Sequence, residues 1–166
     1  MIRPDRLIAE HFDAHRGRDK LQFFWRVTVE GLLIPSGILF AIQAVFDLRS
    51  TGVLGNINSM PLFIGAVILS PIIETVLLQV LPVMVARHFG AGHRIQILAA
   101  TVLFAASKFP FGIETGILTG LVGGFYLAFT YVHWERESFN SALLMTFGAH
   151  ATHNLVICMI GMAVGK

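Results

Sequence analysis

The chain has 166 residues, of which 55% are hydrophobic and only 13% are charged. An ordinary soluble domain carries about 25% charged residues, so the composition excludes that class and indicates a membrane protein. The net charge of +2 at pH 7 gives no reason to expect a nucleic-acid partner. The single cysteine, Cys158, excludes an internal disulfide.

The first 26 residues mix basic and apolar side chains, which predicts an amphipathic segment, residues 1–26, lying in the membrane interface. After it, five segments approach the length of about 20 apolar residues that a helix needs to cross a lipid bilayer. The sequence therefore predicts an all-α fold, a polytopic membrane bundle over residues 27–166. The predicted spans are Val27–Phe46, Met60–Ala86, Ile95–Phe109, Ile113–His133 and Phe139–Val164.

Basic residues are distributed unevenly over the connections between these spans. Nine of the twelve Lys and Arg residues fall before the first span, between the second and third, or between the fourth and fifth. Only Arg49, Lys108 and Lys166 fall on the other side. Because short loops rich in Lys and Arg stay in the cytoplasm, we predict an integral membrane protein whose N-terminus is inside.

Two patterns predict local structure within the spans. Pro71 and Pro82 lack the N–H that a helix requires, so the carbonyls four residues back, those of Val67 and Leu78, lose their helical partners. Such irregular backbone is tolerated at membrane depth where it is buried in protein or lines a wet cavity. In the fourth span, the glycines at positions 116, 120 and 124 share one helix face, which predicts close packing against another helix.

Glu74 lies inside an otherwise apolar segment, at a cost of at least about 2.5–3.5 kcal/mol. It is 13 residues from Arg87, whereas Lys108 is 14 residues from Arg94. His150 is likewise 14 residues from the basic residue that precedes its span. At 1.5 Å per residue these three side chains all lie about 20 Å deep. We therefore predict that they meet in one layer.

The fifth span contains the sequence GAHATHNL, in which His150 and Asn154 share one face and His153 lies about 60° away. A buried carboxylate such as Glu74 can take a proton from a water that attacks a peptide carbonyl. His150 and Asn154 can then donate hydrogen bonds to the oxyanion. Alternatively, Glu74, His150 and His153 are candidate ligands of a divalent metal such as zinc, or the polar groups only form hydrogen bonds between helices.

These residues resemble the CPBP family, the CAAX-processing and bacteriocin-processing intramembrane proteases. That family has three motifs: Glu-Glu-x-x-x-Arg, Phe-x-x-x-His and His-x-x-x-Asn. The segment from Glu74 to Gln79 corresponds to the first motif and keeps its leading Glu. Phe104 to Lys108 corresponds to the second and keeps its Phe, and His150 to Asn154 matches the third in full. The resemblance covers a four-helix core from about residue 60 to the end of the chain.

The resemblance implies an intramembrane endopeptidase of a bacterial cytoplasmic membrane that acts on a membrane-associated protein or peptide. It implies that Glu74 is the base and that His150 with Asn154 stabilises the oxyanion. The chain departs from the family pattern where Thr75 replaces the second Glu, Gln79 replaces Arg and Lys108 replaces the His of the second motif. An ammonium donates but does not accept a proton, so we expect attenuated hydrolysis. Two alternatives are an inactive relative that scaffolds or protects a membrane partner, and a small ion or proton transporter.

Overall fold

The structure is a computed structural model that describes residues 19–46 and 59–164, without the side chains at positions 39, 40 and 42–46. These residues form helices joined by short turns and contain no strand, which confirms the all-α prediction. Most of the predicted amphipathic segment and the loop after the first helix lie outside the described residues. The helices are α1, Lys20–Phe46; α2, Met60–His88; α3, His93–Lys108; α4, Ile113–Trp134; and α5, Phe139–Val164.

Among the described residues, three helices are long and apolar enough to cross a membrane: α2, α4 and α5. α3 has 16 residues and is about 24 Å long, slightly short of the roughly 30 Å of a hydrocarbon core. Short turns join α3 to α2 and to α4, so α3 packs antiparallel to both of them. The helices α2 and α4 therefore run in the same direction. The chain is therefore an integral membrane helical bundle. The larger number of five spans stays a prediction.

Ion pairs connect several elements at one end of the bundle. The Arg87 guanidinium at the end of α2 binds the carboxylate of Glu135, which follows α4. The same guanidinium donates to the side chain of Gln96 on α3 at 3.3 Å. Lys20 at the start of α1 binds Glu137, and this hydrogen bond lowers the pKa of the Glu137 carboxyl. This end of the bundle is the one predicted to face the cytoplasm.

α1 begins at Lys20, seven residues before the predicted start of the first span. The extension places the aromatic side chains of this region against the bundle, since Phe23 is fully buried. Its ring stacks on His133 at 4.7 Å and meets the edge of Trp134 at 5.3 Å. Trp25 remains exposed. Phe23 therefore docks α1 onto α4, whereas the sequence placed it in the amphipathic segment predicted to lie in the membrane interface.

α4 is the central helix, because it contacts the other four described helices and 61% of its most apolar 18-residue stretch is buried inside the protein. Its glycine face packs directly on α3, as predicted. A Cβ added at Gly120 would lie 2.8 Å from the Cα of Ala105, and one at Gly124 would lie 3.0 Å from the ring of Phe104. Only glycine permits this close approach of the two backbones. As a result, Phe104 near the end of α3 is buried against α4.

The backbone of α2 is irregular before each of its two internal prolines, as the sequence predicts. Residues Gly65–Leu69 and Val76–Val80 form π-helical turns that precede Pro71 and Pro82. In the first turn, the Ser70 N–H donates to the carbonyl five residues back. A π turn inserts one residue into a helix and often accompanies a functional site. Glu74 lies between the two turns.

Candidate functional site

Glu74 on α2, Lys108 at the end of α3 and His150 on α5 meet inside the bundle. The Lys108 Nζ lies 2.7 Å and 2.8 Å from the two carboxylate oxygens of Glu74. The His150 Nε2 lies 3.5 Å from the Glu74 Oε2. The prediction that these three side chains share one layer is confirmed.

The Glu74 carboxylate is held by two donors. Besides the Lys108 ammonium, the Ser70 hydroxyl donates to Oε1 at 2.8 Å from one turn earlier on α2. The side chains of Glu74 and Lys108 are 20% and 16% exposed, so the pair is largely but not completely buried. A carboxylate has about four acceptor positions, and these donors occupy three of them. One acceptor position remains for a water or a substrate N–H.

The His150 imidazole is fixed by contacts on each side of the ring. Its Nδ1 lies 3.4 Å from the buried Thr75 hydroxyl, while its Nε2 faces Glu74. The ring also meets the edge of Phe104 at 5.6 Å, and the Lys108 ammonium lies 5.1 Å from the same Phe104 ring. If Thr75 donates to Nδ1, the neutral imidazole carries its proton on Nε2, toward Glu74. This tautomer makes His150 a donor at the centre of the site.

Asn154 is engaged with the irregular backbone of α2. Its Nδ2 donates to the carbonyl of Ala66 at 2.9 Å. That carbonyl lacks a helical partner, because the Ser70 N–H binds Gly65 and the next residue is Pro71. The sequence predicts this loss of a helical donor at Val67, because it assumes α-helical spacing, whereas the π turn causes it at Ala66. Asn154 was predicted to donate to the oxyanion, but one of its N–H groups therefore stabilises the fold instead.

This hydrogen bond is tested by a double-mutant cycle. Asn154→Leu should lower the free energy of unfolding by about 1–3 kcal/mol, because it leaves the partly buried Ala66 carbonyl without a donor. Pro71→Ala restores a backbone N–H near that carbonyl. In the Pro71→Ala background, Asn154→Leu should therefore cost markedly less. Unfolding by SDS in mixed micelles measures all four proteins, and equal costs in both backgrounds would contradict the assignment.

The arrangement does not fit the predicted metal site. Across residues 19–46 and 59–164, no three His, Cys, Asp or Glu side chains form a group that could hold a metal ion. Glu74 approaches His150, whereas His153 lines a cavity together with His150 and without Glu74. In addition, the Lys108 ammonium bonds both oxygens of Glu74. A divalent cation would have to displace this ammonium, so the three predicted ligands do not form a metal site.

Several residues of this site were not assigned from the sequence. Ser70 is four residues before Glu74, and this spacing places both on one helix face, which is a signal that could have found it. Thr75 was noted only as a departure from the family motif, yet it contacts His150. Gln79, in the place of the motif's Arg, is fully buried, and its amide has no hydrogen-bond partner in the described part of the chain. Nothing in the structure explains why Gln79 stands where the motif has Arg.

Comparison with known proteins identifies no relative: no family model, curated protein or solved structure matches the chain. The resemblance to the CPBP family therefore rests on the order of the three motifs and on nothing beyond them.

Proposed function

We propose that the protein is an attenuated intramembrane endopeptidase that cleaves a membrane-associated protein or peptide, with its N-terminus in the cytoplasm. The observation that carries this proposal is the meeting of Glu74, Lys108 and His150 from three helices. Ionisable groups inside membrane helices are costly and usually functional. A carboxylate that keeps one acceptor position beside two proton donors has the parts that hydrolysis of a peptide bond requires.

In the proposed reaction, Glu74 takes a proton from the attacking water, which bonds to the remaining position on its carboxylate, and passes this proton to the leaving amine as the C–N bond breaks. His150 donates from Nε2 to the oxyanion as it forms. Lys108 directs two N–H groups to Glu74, and its third N–H can donate to the same oxygen or to the leaving amine. Asn154 contributes through its second N–H only, since the first binds Ala66.

Attenuation follows from the position of Lys108. Its ammonium stabilises the ionised carboxylate and occupies an acceptor site on each oxygen of Glu74, which leaves the attacking water a single acceptor position. A histidine at this position would accept as well as donate a proton. The family resemblance places a histidine here, which is consistent with Lys108 as the cause of a slower reaction.

One observation also favours a second function, that of a catalytically inactive protein that binds and protects or scaffolds a membrane partner. Lys108 and Ser70 saturate most of Glu74, and Asn154 is partly committed to Ala66. These bonds are the ones expected of a stable polar core. In that case the site residues contribute to stability, and no peptide is hydrolysed.

Lys108→His distinguishes the two functions. General-base catalysis contributes about 10²–10⁴-fold in rate, and we expect Lys108→His to recover part of it, raising the cleavage of CAAX-like or membrane-embedded peptides by about tenfold. Folded yield should change little, because an imidazole can still hydrogen-bond Glu74. Cleavage is measured with purified protein in liposomes, with and without a chelator.

Glu74→Gln is the matched control, because it keeps the shape of the side chain and removes the base. It should abolish cleavage in the wild type and in Lys108→His. Robust wild-type cleavage that falls with Lys108→His would instead give Lys108 a catalytic role of its own. The absence of cleavage in both proteins would contradict the endopeptidase and favour the scaffold.

A further inference from the structure

A small cavity lies between α1, α3, α4 and α5, beside the candidate site. Its volume is about 30 Å³, and a water needs roughly 10–15 Å³ of such space, so it has room for about two waters. The polar part of its lining consists of Thr28, Thr119, Tyr126, His150, His153 and Asn154. Most of the exposed lining is apolar, so any water held there depends on the polar groups that these six side chains supply.

Thr28 is one of two buried threonines whose hydroxyl has no hydrogen-bond partner among the described residues, and the other, Thr146, does not line the cavity. The side chain of Thr28 is nearly fully buried, at 4% exposure. The buried threonines Thr101 and Thr130 each donate to the carbonyl four residues earlier at 2.8 Å. Because a buried polar group without a partner is unfavourable, the Thr28 hydroxyl needs a partner inside the cavity that it lines.

We propose that this cavity is a structural water site, in which about two waters bridge the Thr28 hydroxyl on α1 to His153 and to Asn154 on α5. Each of these side chains lines the cavity. Asn154 uses one N–H for Ala66 and keeps its second N–H and its carbonyl oxygen for water. The imidazole of His153 supplies a donor and an acceptor. Two waters therefore find the two to four polar partners that each requires.

Polar groups also lead away from this water site on the α1 side. Tyr126 lines the cavity, and its hydroxyl lies 3.4 Å from Glu30. Glu30 in turn accepts a hydrogen bond from Arg26 at 2.7 Å, one turn closer to the start of α1. The series from Arg26 to Tyr126 gives water a polar route into the bundle from the end predicted to face the cytoplasm.

The water site is also adjacent to the reactive groups, because His150 lines the cavity and approaches Glu74 at 3.5 Å. The existence of the site does not depend on catalysis. Its use as the source of the attacking water does rest on the proposed endopeptidase function. α1, which lies outside the region of family resemblance, then contributes Thr28 as a positioning residue.

Water-edited solid-state NMR of the full chain in proteoliposomes tests the water site, with water itself as the probe. Magnetisation transferred from water should reach Thr28 and His153 at least about threefold faster than it reaches Thr130, because bound water lies within contact of the first two. Thr130 is the matched control, since it is 1% exposed and bonded to its own helix. Build-up at Thr28 as slow as at Thr130 would overturn the proposal.

A pair of variants extends this test. Thr28→Val keeps the shape of the side chain and removes the hydroxyl, so the early water signal of His153 should fall by about half or more. Thr130→Val should leave that signal unchanged, and an equal loss in both variants would contradict the bridging role of Thr28. If Thr28→Val does not fold, the comparison of Thr28 and His153 with Thr130 in the wild-type protein still tests the water site. A failed cleavage assay would contradict the endopeptidase while leaving this water signal intact.

Discussion

Lys108→Ala is expected to lower the free energy of unfolding by about 3–5 kcal/mol, because it leaves the Glu74 carboxylate buried without its counter-ion. The two side chains are mostly buried, and the ammonium bonds both carboxylate oxygens at 2.7 and 2.8 Å. Removing one partner of such a pair costs far more than removing both. The double variant Lys108→Ala with Glu74→Gln should therefore recover most of the loss. SDS unfolding in mixed micelles and folded yield measure the effect.

The exposed pair between Lys20 and Glu137 is the matched control. Its side chains are 51% and 48% exposed, so water replaces the lost contact and Lys20→Ala should change stability little. Equal effects of Lys20→Ala and Lys108→Ala would show that the Glu74 pair is as well solvated as a surface pair. A double variant that is less stable than Lys108→Ala would contradict the stranded-charge explanation.

Gly120→Ala is the second substitution with a large expected effect. The added methyl group would lie 2.8 Å from the Cα of Ala105, which is backbone and cannot rotate away. α3 and α4 would have to separate, at a cost of about 1–3 kcal/mol. The separation would also shift Phe104, which packs against Lys108 and His150. Cleavage, where it is detectable, should therefore fall together with stability.

Gly123→Ala is the control for this prediction, since a Cβ at Gly123 meets no atom within 4 Å. Alanine favours a helix over glycine by up to about 1 kcal/mol, so this variant should be neutral or slightly stabilised. Gly124→Ala should fall between the two, because its neighbour is the side chain of Phe104 at 3.0 Å. Gly120→Ala and Gly123→Ala unfolding at the same SDS fraction would show that the contact with Ala105 does not limit packing.

Much of this molecule follows from patterns along the chain. Apolar length and the scarcity of charge predicted the membrane bundle and the bounds of most helices. Counting residues from the basic loops placed Glu74, Lys108 and His150 at one depth, and the structure brings them together. Depth along a helix is predictable because the rise per residue is constant. The breaks at Pro71 and Pro82 were predictable for a similarly local reason, the missing N–H.

The tertiary structure decided which side chain each helix face meets. Sequence spacing places Asn154 on the face of His150, but only the position of the π turn shows that its amide binds Ala66. Phe23 is equally suited by composition to a lipid interface or a core, and its burial depends on α4 lying beside it. The cavity at Thr28 exists only where four helices meet. Periodicity determines the depth and direction of a side chain, whereas its partner depends on how the helices pack around one another.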